Sequence, residues 1–220
     1  MKEKAKEFGY AIVKGGLGAI PLAGGAVSEV FGVIFSDPAT KRRERAMSEI
    51  IEKLSLLEDE GYQVEKLIEN EEFVSVVIKA YNIAMQTHEE DKRKALMNAV
   101  YNTPKSSVHE SEKIMFLNYV SEFTEWHLKI LYFCNNPERF YEEHGNRPNY
   151  ENSPHISTLL VDAYPELKHR FPFYTQVVRD LYNRGLFKYQ SIETYFDKID
   201  DAFKPMTTVY GNEFVLFVLK

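Results

Sequence analysis

Apolar residues recur at spacings of three and four through most of this chain, and that period admits few folds other than a helical one. Ala46, Met47, Ile50, Ile51, Leu54 and Leu57 form one such stripe. Ahead of it, Asp37 and Pro38 supply a capping side chain and a proline at the first helical position, so a helix is predicted from Pro38 to about Glu58. A second set, from Val64 and Leu67 through Phe73, Val76, Val77 and Ala80 to Ala84, predicts a helix or a broken pair between Gln63 and Gln86. Thr87 with Glu90 reads as a capping box that opens a helix running to about Asn102. Ser107 with Glu110 repeats the device before a long helix, Val108 to Cys134, which Asn135, Asn136 and Pro137 should stop.

The N-terminal segment is built differently. Seven of the eleven glycines fall between Gly9 and Gly32. Gly15 recurs with Ala11, Ala19 and Ala23 every four residues, as Gly24 does with Ser28 and Gly32, giving strips of small side chains that would let two helix backbones approach closely, and Gly18 is a further interaction candidate. With Pro21 suited to the first turn of a second helix, residues 4–19 and 21–35 read as a glycine-rich helical hairpin used for self-association. The longest stretch there without a charge, Gly15 to Ser28, has fourteen residues, against roughly 20 apolar residues for a membrane span. A constitutive transmembrane helix is not expected, and insertion as a hairpin or an oligomer stays open. Lys41, Arg42, Arg43 and Arg45 follow in the first turns of the next helix, either as a solvated face or as a site for an anionic membrane surface or an acidic partner.

Composition narrows the function classes. With 27 basic and 33 acidic residues the formal net charge is -6, so the molecule's own field repels a polyanion and duplex DNA is a disfavoured partner. The single cysteine, Cys134, sits in an apolar run and reads as a small buried hydrophobe. A lone cysteine and no signal peptide make a cytoplasmic protein the expectation, with membrane association as a second possibility. None of the six histidines stands in a zinc spacing, and neither a metal nor another cofactor is expected. His127, beside Trp126, reads as a partly buried structural histidine.

Two resemblances attach to particular residues. Arg139 and His144 form RxxxxH, similar to the motif of the HEPN family of helical ribonucleases. That resemblance implies metal-independent RNA cleavage with Arg139 and His144 as the catalytic pair at a dimer interface. Phe140 departs from the polar residue usual after the arginine, and Glu142 and Glu143 are unfavourable neighbours for RNA. Farther on, FYTQVVRDLYNRGLF, followed about twenty residues later by TTVYGNEFVLFV, resembles the winged-helix family over Ile156 to Lys220. The resemblance implies a recognition helix closing at Gly185, a two-stranded β wing, and a threonine-to-glycine turn into a terminal apolar segment. Residues 155–220 carry eight basic and eight acidic side chains, unlike DNA-binding members.

The expected architecture is therefore mainly all-α. A helical domain spans 1–144, a linker rich in glycine, proline and asparagine spans 145–154, and a winged-helix-like domain spans 155–220. The leading functional expectation is a non-enzymatic interaction and assembly protein, a homo-oligomer or the binder of a protein partner. The overall pattern is similar to small bacterial abortive-infection and phage-defence proteins, which implies an effector or adaptor. A membrane-perturbing effector using residues 8–35, a HEPN-like ribonuclease and a winged-helix DNA-binding regulator are the alternatives.

Overall fold

The computed structural model describes residues 38–145 and 147–220, with the side chains of 38–40 left aside. The glycine-rich hairpin, with Gly15, Gly18, Gly24, Ser28 and Gly32, lies outside the described residues. The chain is mainly helical, and it divides into two compact units, residues 1–122 and Phe123–Lys220.

In the first unit the apolar period produces five helices: α1 Pro38–Asp59, α2 Val64–Leu67, α3 Glu71–Gln86, α4 Glu90–Asn102 and α5 Glu110–Glu122. Ile50, Leu54 and Leu57 of α1 are fully or almost fully buried, as are Val76, Val77 and Ala80 of α3 and Leu96, Ala99 and Val100 of α4. These three helices pack on one another, and α5 adds Phe116, Leu117 and Val120 against α3 and α4. Each large side chain in such a core contributes about 1.5–3 kcal/mol. Met47 and Ile51, on the flank of the predicted stripe, are only half-buried.

Polar side chains set the helix boundaries. The Asn70 side chain accepts the Phe73 amide at 3.0 Å, so the apolar run between Gln63 and Gln86 is a broken pair. The Thr87–Glu90 box does not form. Thr87 instead accepts the Glu89 amide at 3.1 Å, a local turn that moves the cap to Glu89. The box expected at Ser107 and Glu110 is also displaced. Ser106 accepts the Val108 amide at 3.2 Å, His109 Nδ1 accepts the Ser111 amide at 3.2 Å, and Glu112 reaches back to the His109 amide at 3.3 Å. A histidine thus supplies the acceptor that the sequence pattern assigns to serine.

The second unit contains α6 Glu125–Asn135, α7 Pro137–His144, α8 Ile156–Ala163, α9 Phe171–Asn183 and α10 Val209–Val218, with 3-10 turns at Pro165–Leu167 and Ile199–Phe203. The single helix expected from Val108 to Cys134 is broken at Phe123 and Thr124. Thr124 takes an extended conformation, and His127 Nδ1 accepts its backbone N–H at 3.1 Å, so α6 starts anew there.

The stretch expected as a linker falls within this unit. Arg147 stacks on Phe203 at 3.8 Å and pairs with Glu138 and Asp200, while the Tyr150 hydroxyl donates to Asp162. These contacts fasten the segment down as a strap. Beneath it, Phe133, Phe140, Tyr141 and Tyr164 meet edge to face with centroids 5.1–6.2 Å apart.

The terminal apolar segment is a helix. The Thr208 side chain accepts the Gly211 amide at 2.9 Å, so the threonine-to-glycine spacing that suggests a turn is an N-cap. Phe214, Val215, Phe217 and Val218 then line its buried side. Among the described residues, β pairing is confined to two isolated antiparallel bridges, His155 with Tyr195 and Phe187 with Thr207.

Candidate functional site

Arg139 and His144 both lie on α7, five positions apart and so about 140° apart around the helix axis. The Arg139 Nε donates to Glu143 Oε1 at 2.6 Å. That hydrogen bond holds the Glu143 carboxyl below its usual range and raises the guanidinium of Arg139. The Tyr132 hydroxyl and the Lys220 amine border the same small hollow. Burial, followed by the nearby charge of Arg139, lowers the Lys220 ammonium below an ordinary lysine.

His144 has different neighbours. Its ring stacks on Phe140 at 4.4 Å, and Nδ1 lies 3.0 Å from the Phe140 carbonyl, which can only accept. Nδ1 therefore carries the proton. One side chain is neutralised by a glutamate and the other is held on its own helix, so within one chain the two are not brought together on a common point.

Lys41, Arg42, Arg43 and Arg45 occupy the first turns of α1 and are all exposed. No acidic residue stands in that first turn to offset them. Among the described residues no helix is long and apolar enough to cross a membrane, and no group of histidine, cysteine and acidic side chains could hold a metal ion. The Cys134 thiol is fully buried, which raises its pKa well above that of a free thiol and leaves it inert.

The more informative surface is carried by α8 and α9. The turn between them passes through His169 at φ 69°, an unusual conformation for a residue with a side chain, and Pro172 sits in the first turn of α9. Tyr174, Val177, Val178 and Leu181 face the core. Gly185 closes the helix at φ 73°, its amide bonded to the Tyr182 carbonyl at 2.9 Å and the Leu186 amide to that of Leu181 at 3.0 Å. This paired closure is what a glycine just past the last helical residue predicts.

The chain then pairs with itself. Lys188 donates to the Met206 carbonyl at 2.9 Å and Thr208 to that of Leu186 at 3.2 Å. The outer face of α9 presents Gln176, Arg179, Tyr182 and Asn183, with Phe171 at its start.

Electrostatics on that face are self-contained. Gln176 Nε2 donates to Asp180 Oδ1 at 2.8 Å, and Asp180 Oδ2 lies 3.6 Å from Nε2 of the buried His127. Because Nδ1 of His127 accepts the Thr124 amide, a neutral imidazole carries its proton on Nε2, toward Asp180. His127 also stacks on Phe123 at 4.6 Å. It is a structural residue, as its position beside Trp126 suggests.

No family model, curated protein or solved structure matches this chain. Its own geometry therefore carries the functional argument. Sequence reasoning missed two polar anchors. Lys113 is buried and donates to Glu72 at 2.7 Å and to the Thr103 and Ser106 carbonyls at 3.1 and 3.2 Å. Asn135 is also buried, and its amide donates to Thr207 and Asn212 while its oxygen accepts from Lys220. A lysine at an apolar helix position was the available signal for the first. For the second, partners 72 and 77 positions away leave no local signal.

Proposed function

We propose that this chain is a non-enzymatic interaction and assembly protein whose second unit is a winged-helix-like module used for protein contacts. The observation that carries the reading is the outer face of α9. This helix precedes an antiparallel bridge, yet on its outer face Arg179 sits beside an aspartate, and Phe171 and Tyr182 are 46% and 38% exposed. Duplex recognition rests on neutralising several phosphates, whereas exposed aromatic side chains beside an arginine that neighbours an aspartate suit a protein surface. Val209, 80% exposed at the start of α10, adds an apolar neighbour to the Thr208–Gly185 contact.

Self-association through Gly15, Gly18, Gly24, Ser28 and Gly32 belongs to the same reading, which the resemblance to bacterial defence proteins casts as an effector or adaptor. The test has two arms on the full chain. Sedimentation velocity over a concentration series should show reversible association, and fluorescence anisotropy with random duplex DNA at low salt should show only weak binding. Sub-micromolar duplex affinity with a steep salt dependence would replace the reading with a DNA-binding regulator. A single monomeric species at every concentration would remove the assembly.

A further inference from the structure

Helix α1 carries its charges against its own dipole. Its first turn has no acidic residue and leads into Lys41, Arg42, Arg43 and Arg45, interrupted only by Glu44. Its last turn has no basic residue and holds Glu58 and Asp59. A helix is stabilised by the reverse order, acids at its start and bases at its end, so both ends of α1 lack a favourable counter-charge.

These charges fall on one line. Ala46, Ile50, Leu54 and Leu57 bury one side of α1. Along the opposite side run Lys41, Arg45, Ser48, Glu52, Ser55 and Asp59, at spacings of four and three that keep them on a single strip. All are exposed except the half-buried Ser55, and Leu56 beside them is 40% exposed. The strip is basic over its first half and acidic over its second. Among the described residues none of its four charged side chains forms an ion pair. The Glu90 carboxyl is lowered first by its hydrogen bond from Lys94 and least by Arg45, so Arg45 is not committed to it. Lys41 and Asp59 stand about 27 Å apart along the helix axis, and cannot meet within one copy.

We propose that this outer face of α1 pairs antiparallel with the same face of a second copy of the chain. A two-fold axis near the middle of the helix sets Lys41 opposite the partner's Asp59 and Arg45 within reach of the partner's Glu52, and each such pair occurs twice. Ser48 and Ser55 are small enough to let the helices approach, and Leu56 adds an apolar contact. An anionic membrane would attract the first half of the strip but repel Glu52 and Asp59 on the same face. A reversed copy of α1 offers both signs in the order required. The pairing rests on the assembly reading above and uses a surface separate from the glycine-rich segment.

The test uses two full-length variants: Lys41→Glu with Arg45→Glu, whose strip is acidic throughout, and Glu52→Lys with Asp59→Lys, whose strip is basic throughout. All four positions are exposed, and helical circular dichroism checks that each variant is folded. In sedimentation velocity at low salt, each variant alone should associate about tenfold or more weakly than the wild type. An equimolar mixture of the two should recover the wild-type association, and so should the chain carrying all four substitutions. Should one variant fail to fold, the other and the four-substitution chain carry the comparison. Wild-type association should also weaken as salt rises. Wild-type association that neither variant weakens would overturn this pairing and leave assembly through another surface standing. Weakening that neither the mixture nor the four-substitution chain reverses would overturn it as well. A wild type that is monomeric at every concentration, whether or not it floats with anionic vesicles, would overturn both the pairing and the assembly reading.

Discussion

Gly211 and Leu186 are in backbone-to-backbone contact: a Cβ on Gly211 would overlap the Leu186 carbonyl oxygen and stand 2.8 Å from its carbon. The same oxygen accepts the Thr208 amide at 3.2 Å, and the Thr208 hydroxyl donates to the Gly185 carbonyl at 2.6 Å. The first turn of α10 is thus seated directly on the chain that leaves α9. This seat is possible only where no side chain intervenes.

Gly211→Ala brings two effects into opposition. Alanine favours a helix interior over glycine by about 1 kcal/mol. Overpacking against a fixed neighbour costs about 1–3 kcal/mol, and here the obstacle is backbone, which cannot rotate aside. The clash should win, lowering the urea midpoint of the second unit's unfolding. A raised midpoint would show that α10 can move off Leu186.

Much of the fold was legible because helices announce themselves through local period. The Asp37–Pro38 start and the stripe from Ala46 to Leu57 place α1 within a residue of its end at Asp59. Gly185 likewise marks the end of α9. The errors arise where two local rules compete for one segment. Thr208 and Gly211 can make a turn or a cap, and apolar neighbours such as Phe214 and Val215 are compatible with a strand or with a buried helix face. The continuous apolar run across Phe123 conceals a break because the acceptor is a histidine, His127, rather than one of the usual capping residues. The candidate site was less legible still. Asp180 and His127 are far apart in the chain, and only the packing of α9 on α6 makes them neighbours.

Lys113 spends its three N–H groups on Glu72, Thr103 and Ser106, tying α5 to α3 and to the turn after α4. Lys113→Met keeps the volume and removes every donor. Two carbonyls and a carboxylate, itself 31% exposed, lose their partner, at a cost of about 2–4 kcal/mol. Chemical denaturation should show that loss, and Glu72→Gln in the same background should recover part of it. Full additivity of the two substitutions would mean that the pair is not coupled.

His169 holds φ at 69° in the turn before α9. A left-handed conformation costs a residue with a Cβ about 1–2 kcal/mol, and glycine escapes most of this. His169→Gly should therefore raise the melting temperature by a few degrees and leave the helical circular dichroism unchanged. A lower melting temperature would show that the imidazole contributes contacts outweighing the strain.

Cys134 is fully buried, and burial raises its thiol well above the usual range. Native protein should react with a thiol-specific chromogenic reagent no faster than it opens, whereas denatured protein should react at once with one equivalent. Immediate reaction of the folded chain would place Cys134 at the surface.

The exposed pair Arg139 and Glu143 gives a pH dependence with a definite sign. The hydrogen bond from Arg139 lowers the folded-state pKa of Glu143 below its unfolded value. A carboxylate shifted that way stabilises the fold above its unfolded pKa, and the contribution is lost as the pH falls through the lower, folded value. The same direction holds for Glu60, bonded by Lys105, and for Asp201, bonded by Lys204. Acid should therefore weaken the protein at the low end of the carboxylate range, with stability level across neutral pH as far as these groups are concerned. Carboxyl NMR should show Glu143 titrating below an ordinary glutamate, and Arg139→Gln should return it to the ordinary range. Since both side chains face water, added salt should narrow the difference between the two proteins. An unshifted Glu143 in the native chain would mean that Arg139 is not committed to it and is available to another anion.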